Sequence, residues 1–475
     1  MQAAVHGLRR FPAPQRARRR SAVYRPSVEG LEERCLLSNT YVQTNLVSDI
    51  AGVARFTDPN LVNPWGIAYG PGPFWISDNN AGVSTLYSGV GRAQSLVVSI
   101  PPPHGSPPGA AGAPTGTVFN GGTGFMVKQG GTSGPSIFIF ATEDGTIAGW
   151  SPGVNATHAV IAVDHSTVPT AADGAVFKGL TLGTNSTGTF LYAADFRHGT
   201  VDVFDQTFHA ATLKGHFVDS TIPMGFAPFD IQNIGGQLFV TYAKQNALKH
   251  DDVGGPGNGF VDVFNTDGVK LRRFATRGVL DSPWGLAQAP ANFGKFSNDI
   301  LIGNFRDGRI NAFDPKTGGF LGPLVNQFGD VIAINRLWAL TFGNGGQAGN
   351  KNSLFFTAGI ADESHGLFGQ IDANPAPAAS LADISVAITG VGNLSRHDPG
   401  VSDAVLPSST GSDNARIFRR QFDLAGDAQS SFSATRTMDP TETFIGSGRG
   451  HGAHRAPIAG ILGALDAFFA SDFGF

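Results

Sequence analysis

The stretch NPWGIAYGPGPFWISDNNAGVSTLYS, residues 63–88, returns more than two hundred residues later as SPWGLAQAPANFGKFSNDILIGNFRDGRINAFDPKTG, residues 282–318. Both hold the same three elements in the same order. A Pro-aromatic-Gly-aliphatic opening comes first, then a short apolar run ending in a polar residue, then a glycine turn into an alternating run. The opening recurs as PWGIA (64–68), PTGTV (114–118), FKGLT (177–181), PFDIQ (228–232), PWGLA (283–287) and LWALT (337–341). A unit recurring every 50 residues or slightly more is the mark of a radial or stacked repeat architecture. In GTVDVFD, Val201 and Val203 alternate with Asp202 and Phe204, the period of two that places side chains on opposite faces of a sheet. Turns such as EDGT, RHGT and RDGR separate the runs, as hairpin connections require.

One four-stranded antiparallel sheet cannot bury both its faces. Six packed radially can, and they leave only short protected edges. The repeats therefore predict an all-β, six-bladed β-propeller of four-stranded blades over residues 41–373. The sixth unit runs out near Ala373 after three strands, so YVQTNLVSDI (41–50) is expected to supply its outermost strand and close the ring.

Composition agrees. Of 475 residues, 64 are glycine, 29 proline and 37 phenylalanine, and only 15% are charged. Such a chain turns often and still carries enough apolar side chains for a large core. The net charge of −4 is unevenly spread. Residues 1–40 hold eight arginines against Glu29, Glu32 and Glu33, while the ring and the segment after it are mildly acidic. The ring lacks the clustered Lys/Arg face that phosphate backbones require, which argues against a nucleic-acid partner. Cys35 is the sole cysteine, which excludes an intramolecular disulfide and Cys-rich zinc sites. No run reaches the roughly 18 apolar residues of a membrane-spanning helix. Residues 374–475 are rich in Ser, Ala, Asp and Gly and show no recurring strand pattern, so they read as a largely disordered tail with a short helix possible at its end.

Two resemblances follow from these strings. The leader PSVEGLEERCLLS (26–38) is similar to the LEPR-XLL motif of bacterial surface and secreted proteins. Leu31, Glu32, Arg34, Leu36, Leu37 and Ser38 stand at matching positions, and Glu33 replaces the usual proline. The resemblance implies export, hence an extracytoplasmic, secreted or cell-surface location. The unit NPWGIA…FWISDNNAG resembles the NHL-type repeat. The whole ring, through YVQTNLVSDIAGVARFTDPNLVNPWGIA, PTGTVFNG, FATEDGTIAGW and GNGFVDVFNTDG, resembles an uncharacterised bacterial family of exported propellers, which implies a fold and a route but no reaction.

Propeller ligands sit where the innermost strands begin, at the mouth of the central channel. The candidates there are Asn63, Trp65, Lys178, Asp230, Trp284 and Trp338. Asp78, Asp195 and Asn304 end the second strands and are candidate oxygen ligands for a metal, since Ca²⁺ takes six to eight oxygens. Gluconolactonase-like and lyase-like six-bladed propellers use a channel metal in that way. The competing reading is that these side chains bond turn amides, and that the tryptophans, repeated in register, form a packing layer. The insertion KQNALKHDDVGGPGNG (244–259), carrying Lys244, Lys249, His250, Asp251 and Asp252, is the most polar feature to break the repeat. Hydrolase, nucleotide-loop and zinc-protease signatures are missing. The expected function is a monomeric binding module for a glycan, peptide or small molecule. A calcium-dependent hydrolase or lyase and a structural surface protein are the alternatives.

Overall fold

Alternation, turn glycines and the six openings produce six radial sheets. The computed structural model describes residues 39–374. Of its two units, Met1–Ala376 contains the ring, and Pro377–Phe475 lies outside the described residues, as does the arginine-rich leader with its LEPR-XLL-like string. The readings of both tails fall outside the described part.

Blade 1 is Pro64–Tyr69, Phe74–Asp78, Val83–Tyr87 and Ala93–Ser99. Blade 2 is Pro114–Phe119, Phe138–Thr142, Thr146–Trp150 and Val160–Asp164, with a small hairpin, Met126–Gln129 and Thr132–Pro135, inserted after its first strand. Blade 4 is Phe226–Ile234, Gln237–Lys244, Gly259–Phe264 and Lys270–Thr276; blade 5 is Pro283–Gln288, Ile300–Asn304, Ile310–Phe313 and Phe320–Pro323. Each predicted opening is an innermost strand. Blade 6 combines Leu337–Phe342, Leu354–Ala358 and Leu367–Ala373 with Tyr41–Ser48, which pairs antiparallel to the last strand from Tyr41↔Ala373 to Ser48↔Leu367. The ring closes as expected. Tyr41 locks the seam, its buried ring against Phe293 and Phe296 and its hydroxyl donating to the Phe293 carbonyl at 3.1 Å.

Blade 3 departs from the expected four strands. It has three, Phe177–Asn185, Gly188–Asp195 and Thr200–Phe204. A fourth begins with the Phe204↔Ala210 bridge and the Ala211 N–H to Val203 carbonyl bond of 2.8 Å. The chain then leaves for blade 4, where the Gly215 N–H meets the Asp267 carbonyl and the Phe217 N–H meets the Gly268 carbonyl. The AATLKGHF sequence (210–217) has no sustained alternation to hold it on its own sheet.

In every blade the innermost strand carries one extra residue against the second, a bulge inside the opening motif. A bulge bends its strand and re-aims a side chain. Here it directs the second residue of each opening, Trp65, Thr115, Lys178, Phe229, Trp284 and Trp338, toward the mouth. The third residue is glycine in four blades because neighbouring innermost strands meet backbone to backbone. A Cβ on Gly116 would lie 2.6 Å from the Leu180 nitrogen. Gly116→Ala is accordingly expected to destabilise the protein by about 2 kcal/mol or more, since overpacking against backbone has no cheap relief. Gly72→Ala, where nothing lies within 4 Å, should be close to neutral. Paired denaturant-unfolding midpoints measure both.

Candidate site at the channel mouth

Three of the six openings carry tryptophan, and those three strands are also preceded by a non-glycine residue in the left-handed region: Asn63 (φ 49), Ser282 (φ 51) and Arg336 (φ 53). Their indoles cross the axis and meet. Trp65 stacks on Trp338 with ring centroids 3.5 Å apart, and Trp284 stands edge-on to both at 6.3 and 5.7 Å. Phe305 stacks on the other side of Trp338 at 3.9 Å, and Phe229 and Phe196 complete the layer. All three tryptophans are at most 3% exposed. Together they form an aromatic floor that closes the channel beneath the mouth. The Nε1–H of Trp338 donates to Asn63 Oδ1 at 3.1 Å, while those of Trp65 and Trp284 have no protein partner.

Beneath the floor lies a cavity of about 30 Å³, lined among others by Gly66, Gly116, Thr117, Asp230, Gln232 and Trp284. Asp230 occupies the position that is glycine in four sibling blades, and it is only 8% exposed. Its carboxyl is pushed up to about 7 by burial, against which the Ile231 amide acts only partly. The unpartnered Thr117 hydroxyl and Trp284 N–H face the same neighbourhood. Such a polar pocket has room for one or two waters.

Above the floor the six blades supply a charged layer. Lys178, 2% exposed at its side chain, forms an ion pair with Glu143 and holds its ammonium 4.7 Å from the Trp65 ring. Asn79 donates to the other oxygen of Glu143 at 3.1 Å. Asn63 donates to Glu363 Oε2 at 3.3 Å, and Asn80 donates to the Glu363 carbonyl at 2.7 Å. The insertion of blade 4 reaches the same mouth. Gln245 donates to the Phe196 carbonyl, Arg306 grips both oxygens of Asp252 at 2.6 and 2.7 Å, and His250 Nδ1 lies 2.8 Å from Asp251 Oδ1. Burial pushes the Glu363 carboxyl up, and the charge of Glu143 adds to it; Asp144 is raised by the same two causes, burial first. The hydrogen bond from His250 holds Asp251 below the usual carboxylate range.

Asn63, Trp65, Lys178, Trp284 and Trp338, read from the sequence as mouth residues, are thus brought together, with Asp230 one step below. The proposed metal ligands stand apart in their own blades. Asp78 Oδ2 accepts from the Thr85 amide and hydroxyl, Asp195 accepts from Val176 N–H and His198, and Asn304 donates to the Val279 carbonyl at 2.7 Å. These are turn and strand-end anchors, and Asp78 and Asp195 belong to no metal-sized group among the described residues. The group that does is Glu143, His250 and Asp251, whose donor atoms lie within 4.8 Å of one another. Glu143 is the residue the sequence reading passed over, treating TEDG as a turn. Its signal was positional: the residue that follows the second-strand partner of each opening's first residue is Asn79, Glu143, Phe196, Ala243, Phe305 and Gly359 around the ring, and only blade 2 places an acid there.

No family model matches the chain. Uncharacterized protein L690 of Acanthamoeba polyphaga mimivirus is 33% identical over 338 residues, 70% of this chain and 86% of the relative. Uncharacterized protein R648 of the same virus is 33% identical over 333 residues, 69% of this chain and 78% of the relative. These relatives are viral, where the resemblance had pointed to bacterial proteins. Among solved structures, a protein of unknown function from Bacteroides thetaiotaomicron has a TM-score of 0.41 at 11% identity, covering 70% of this chain and 73% of its own. An aldose sugar dehydrogenase from Streptomyces coelicolor has 0.40 at 12%, covering 71% and 99%. No activity carries over at such scores.

Two outcomes follow from the geometry. An acid whose folded-state pKa lies above its unfolded value costs stability once the unfolded chain ionises. For Asp230 the cost is absent below about pH 4, grows between pH 4 and 7, and reaches about 4 kcal/mol above that. Asp230→Asn should therefore match wild type at pH 4 and exceed it at pH 8, read by denaturant unfolding at both pH values. For the buried Lys178–Glu143 pair, Lys178→Met alone should lose about 3 kcal/mol by stranding the carboxylate, and Lys178→Met with Glu143→Leu should recover most of that loss. A double-mutant cycle measures it.

Proposed function

The chain belongs to the family of these two mimivirus proteins, and from that premise we propose that it is a binding propeller whose ligand seats in the charged mouth above the tryptophan floor. One observation carries the reading. The six openings are near copies as scaffold, yet the two positions per blade that face the axis at the floor and the mouth carry a different pair in each blade: Trp65 with Asn79, Thr115 with Glu143, Lys178 with Phe196, Phe229 with Ala243, Trp284 with Phe305, Trp338 with Gly359. A ring that served only as scaffold has no physical need to vary there. The mouth offers paired donors and acceptors over an apolar base, the pattern that small hydroxylated ligands such as glycans require. The tryptophans take part as the floor, since their faces are spent on one another. Export to the cell surface, the NHL-like ancestry of the repeat and a monomeric ring are part of this proposal, supported by the leader and repeat strings already quoted.

A second reading has one observation in its favour. Glu143, His250 and Asp251 offer a nitrogen and two carboxylates at metal-binding separation, which suits a divalent ion and metal-dependent hydrolysis or elimination. Against it, Lys178 already sits on Glu143. Calorimetric titration with Ca²⁺, Mn²⁺ and Zn²⁺ separates the readings. The binding-module reading expects no stoichiometric heat, together with a thermal shift from at least one member of a panel of mono- and oligosaccharides that Glu143→Gln weakens at least tenfold in affinity. Tight 1:1 metal binding lost in His250→Ala, with silence across the glycan panel, would replace it with the enzyme.

A further inference from the structure

The outer edge of blade 3 lacks the fourth strand that its five siblings carry. In blades 1, 2, 4, 5 and 6 the third strand is flanked by a fourth: Ala93–Ser99, Val160–Asp164, Lys270–Thr276, Phe320–Pro323 and Tyr41–Ser48. In blade 3 that position holds only the Ala210–Ala211 start described above. The unpaired groups can be assigned. Because the Val203 carbonyl accepts from Ala211, Val203 points its backbone outward, and by the alternation of an antiparallel ladder so does Val201. The N–H and C=O of Val201 and the N–H of Val203 have no main-chain partner among the described residues. Beside them, between the strand and the departing segment, runs a groove of about 350 Å³ lined by His165, Asp202, Val203, Ala211, Leu213 and Phe217.

We infer that this edge receives an extended polypeptide strand from a partner protein, added to blade 3 by main-chain pairing. The occupant's chemistry is set by three facts. Outward backbone donors and acceptors spaced two residues apart match another strand. The five equivalent positions in this ring each hold one. Blade 6 shows that the position accepts a strand remote in sequence, since Tyr41–Ser48 is delivered there more than 300 residues ahead of the strand it pairs with. The groove's two sides define the preference. Leu213 and Phe217 form an apolar wall, while Asp202 and His165, 3.8 Å apart, form a polar one. A strand of alternating aliphatic and polar residues satisfies both. This interaction is independent of whatever binds at the mouth.

The test uses the full chain, a labelled synthetic peptide YVQTNLVS, copied from residues 41–48, and an alternating Thr-Val octapeptide. Binding is followed by fluorescence anisotropy, and its location by amide exchange. At least one peptide is expected to bind and to slow exchange at Val201 and Val203 by tenfold or more, and a peptide with a central proline is expected to do neither. Val201→Pro removes the outward donor at an edge position that tolerates proline and should abolish the effect. Leu213→Arg, which blocks the groove from the facing segment, should give the same loss and serves if the proline variant does not fold. Failure of both peptides to slow Val201, slowing confined to blade 6, or undiminished binding in the variants would each overturn the inference.

Discussion

The tightest constraint on this molecule is the backbone-to-backbone approach of its six innermost strands. Side chains are excluded where neighbours touch, so the third residue of the opening is glycine in four blades and alanine in a fifth. The axis then retains beside Asp230 a cavity of about 30 Å³, space for a water or two. Apart from Asp230 and the small pocket around it, the charged side chains of the axis lie past the indoles of Trp65, Trp284 and Trp338, at the mouth. The site's position is thus a result of the packing that holds the ring.

Much of the architecture was legible because it repeats. Six openings, six second strands and the closing role of residues 41–50 could be read from spacing and alternation alone, since hydrophobic period and turn residues report local structure directly. The missing fourth strand of blade 3 was not legible. Whether residues 210–217 stay on their own sheet depends on hydrogen bonds to the 265–269 turn of blade 4, a tertiary competition without local signature. The same limit applied to the site. Asp78, Asp195 and Asn304 looked like ligands by residue type, but a carboxylate or amide at a strand end is as readily consumed by nearby turn amides. Glu143 looked like a turn residue, and its role emerges only when the six blades are superposed and Lys178 is found beneath it.

The mouth holds its charges in pairs. Lys178 with Glu143, Arg306 with Asp252 and Arg336 with Asp362 each neutralise a carboxylate, while Glu363 and Asp144 are raised by burial first and by the charge of Glu143 second. The blade 4 insertion supplies Asp252 and the His250–Asp251 pair, so the least repetitive loop of the ring completes the layer that the repeats only begin.

The seam at blade 6 has a kinetic consequence. Tyr41 and Ala373 are partners separated by nearly the whole ring, and loop-closure entropy must be met before that pairing returns anything. During synthesis from the N-terminus, residues 41–48 emerge before the rest of the ring and find their partner last. Until then the strand is an unpaired edge carrying Tyr41, Val42, Leu46 and Val47, and the edge of blade 6 it will cover is unpaired too. The interval in which both are open is the one in which neighbouring nascent chains could exchange strands, so the feature that seals the finished molecule also sets when in its life it is most exposed to misassembly.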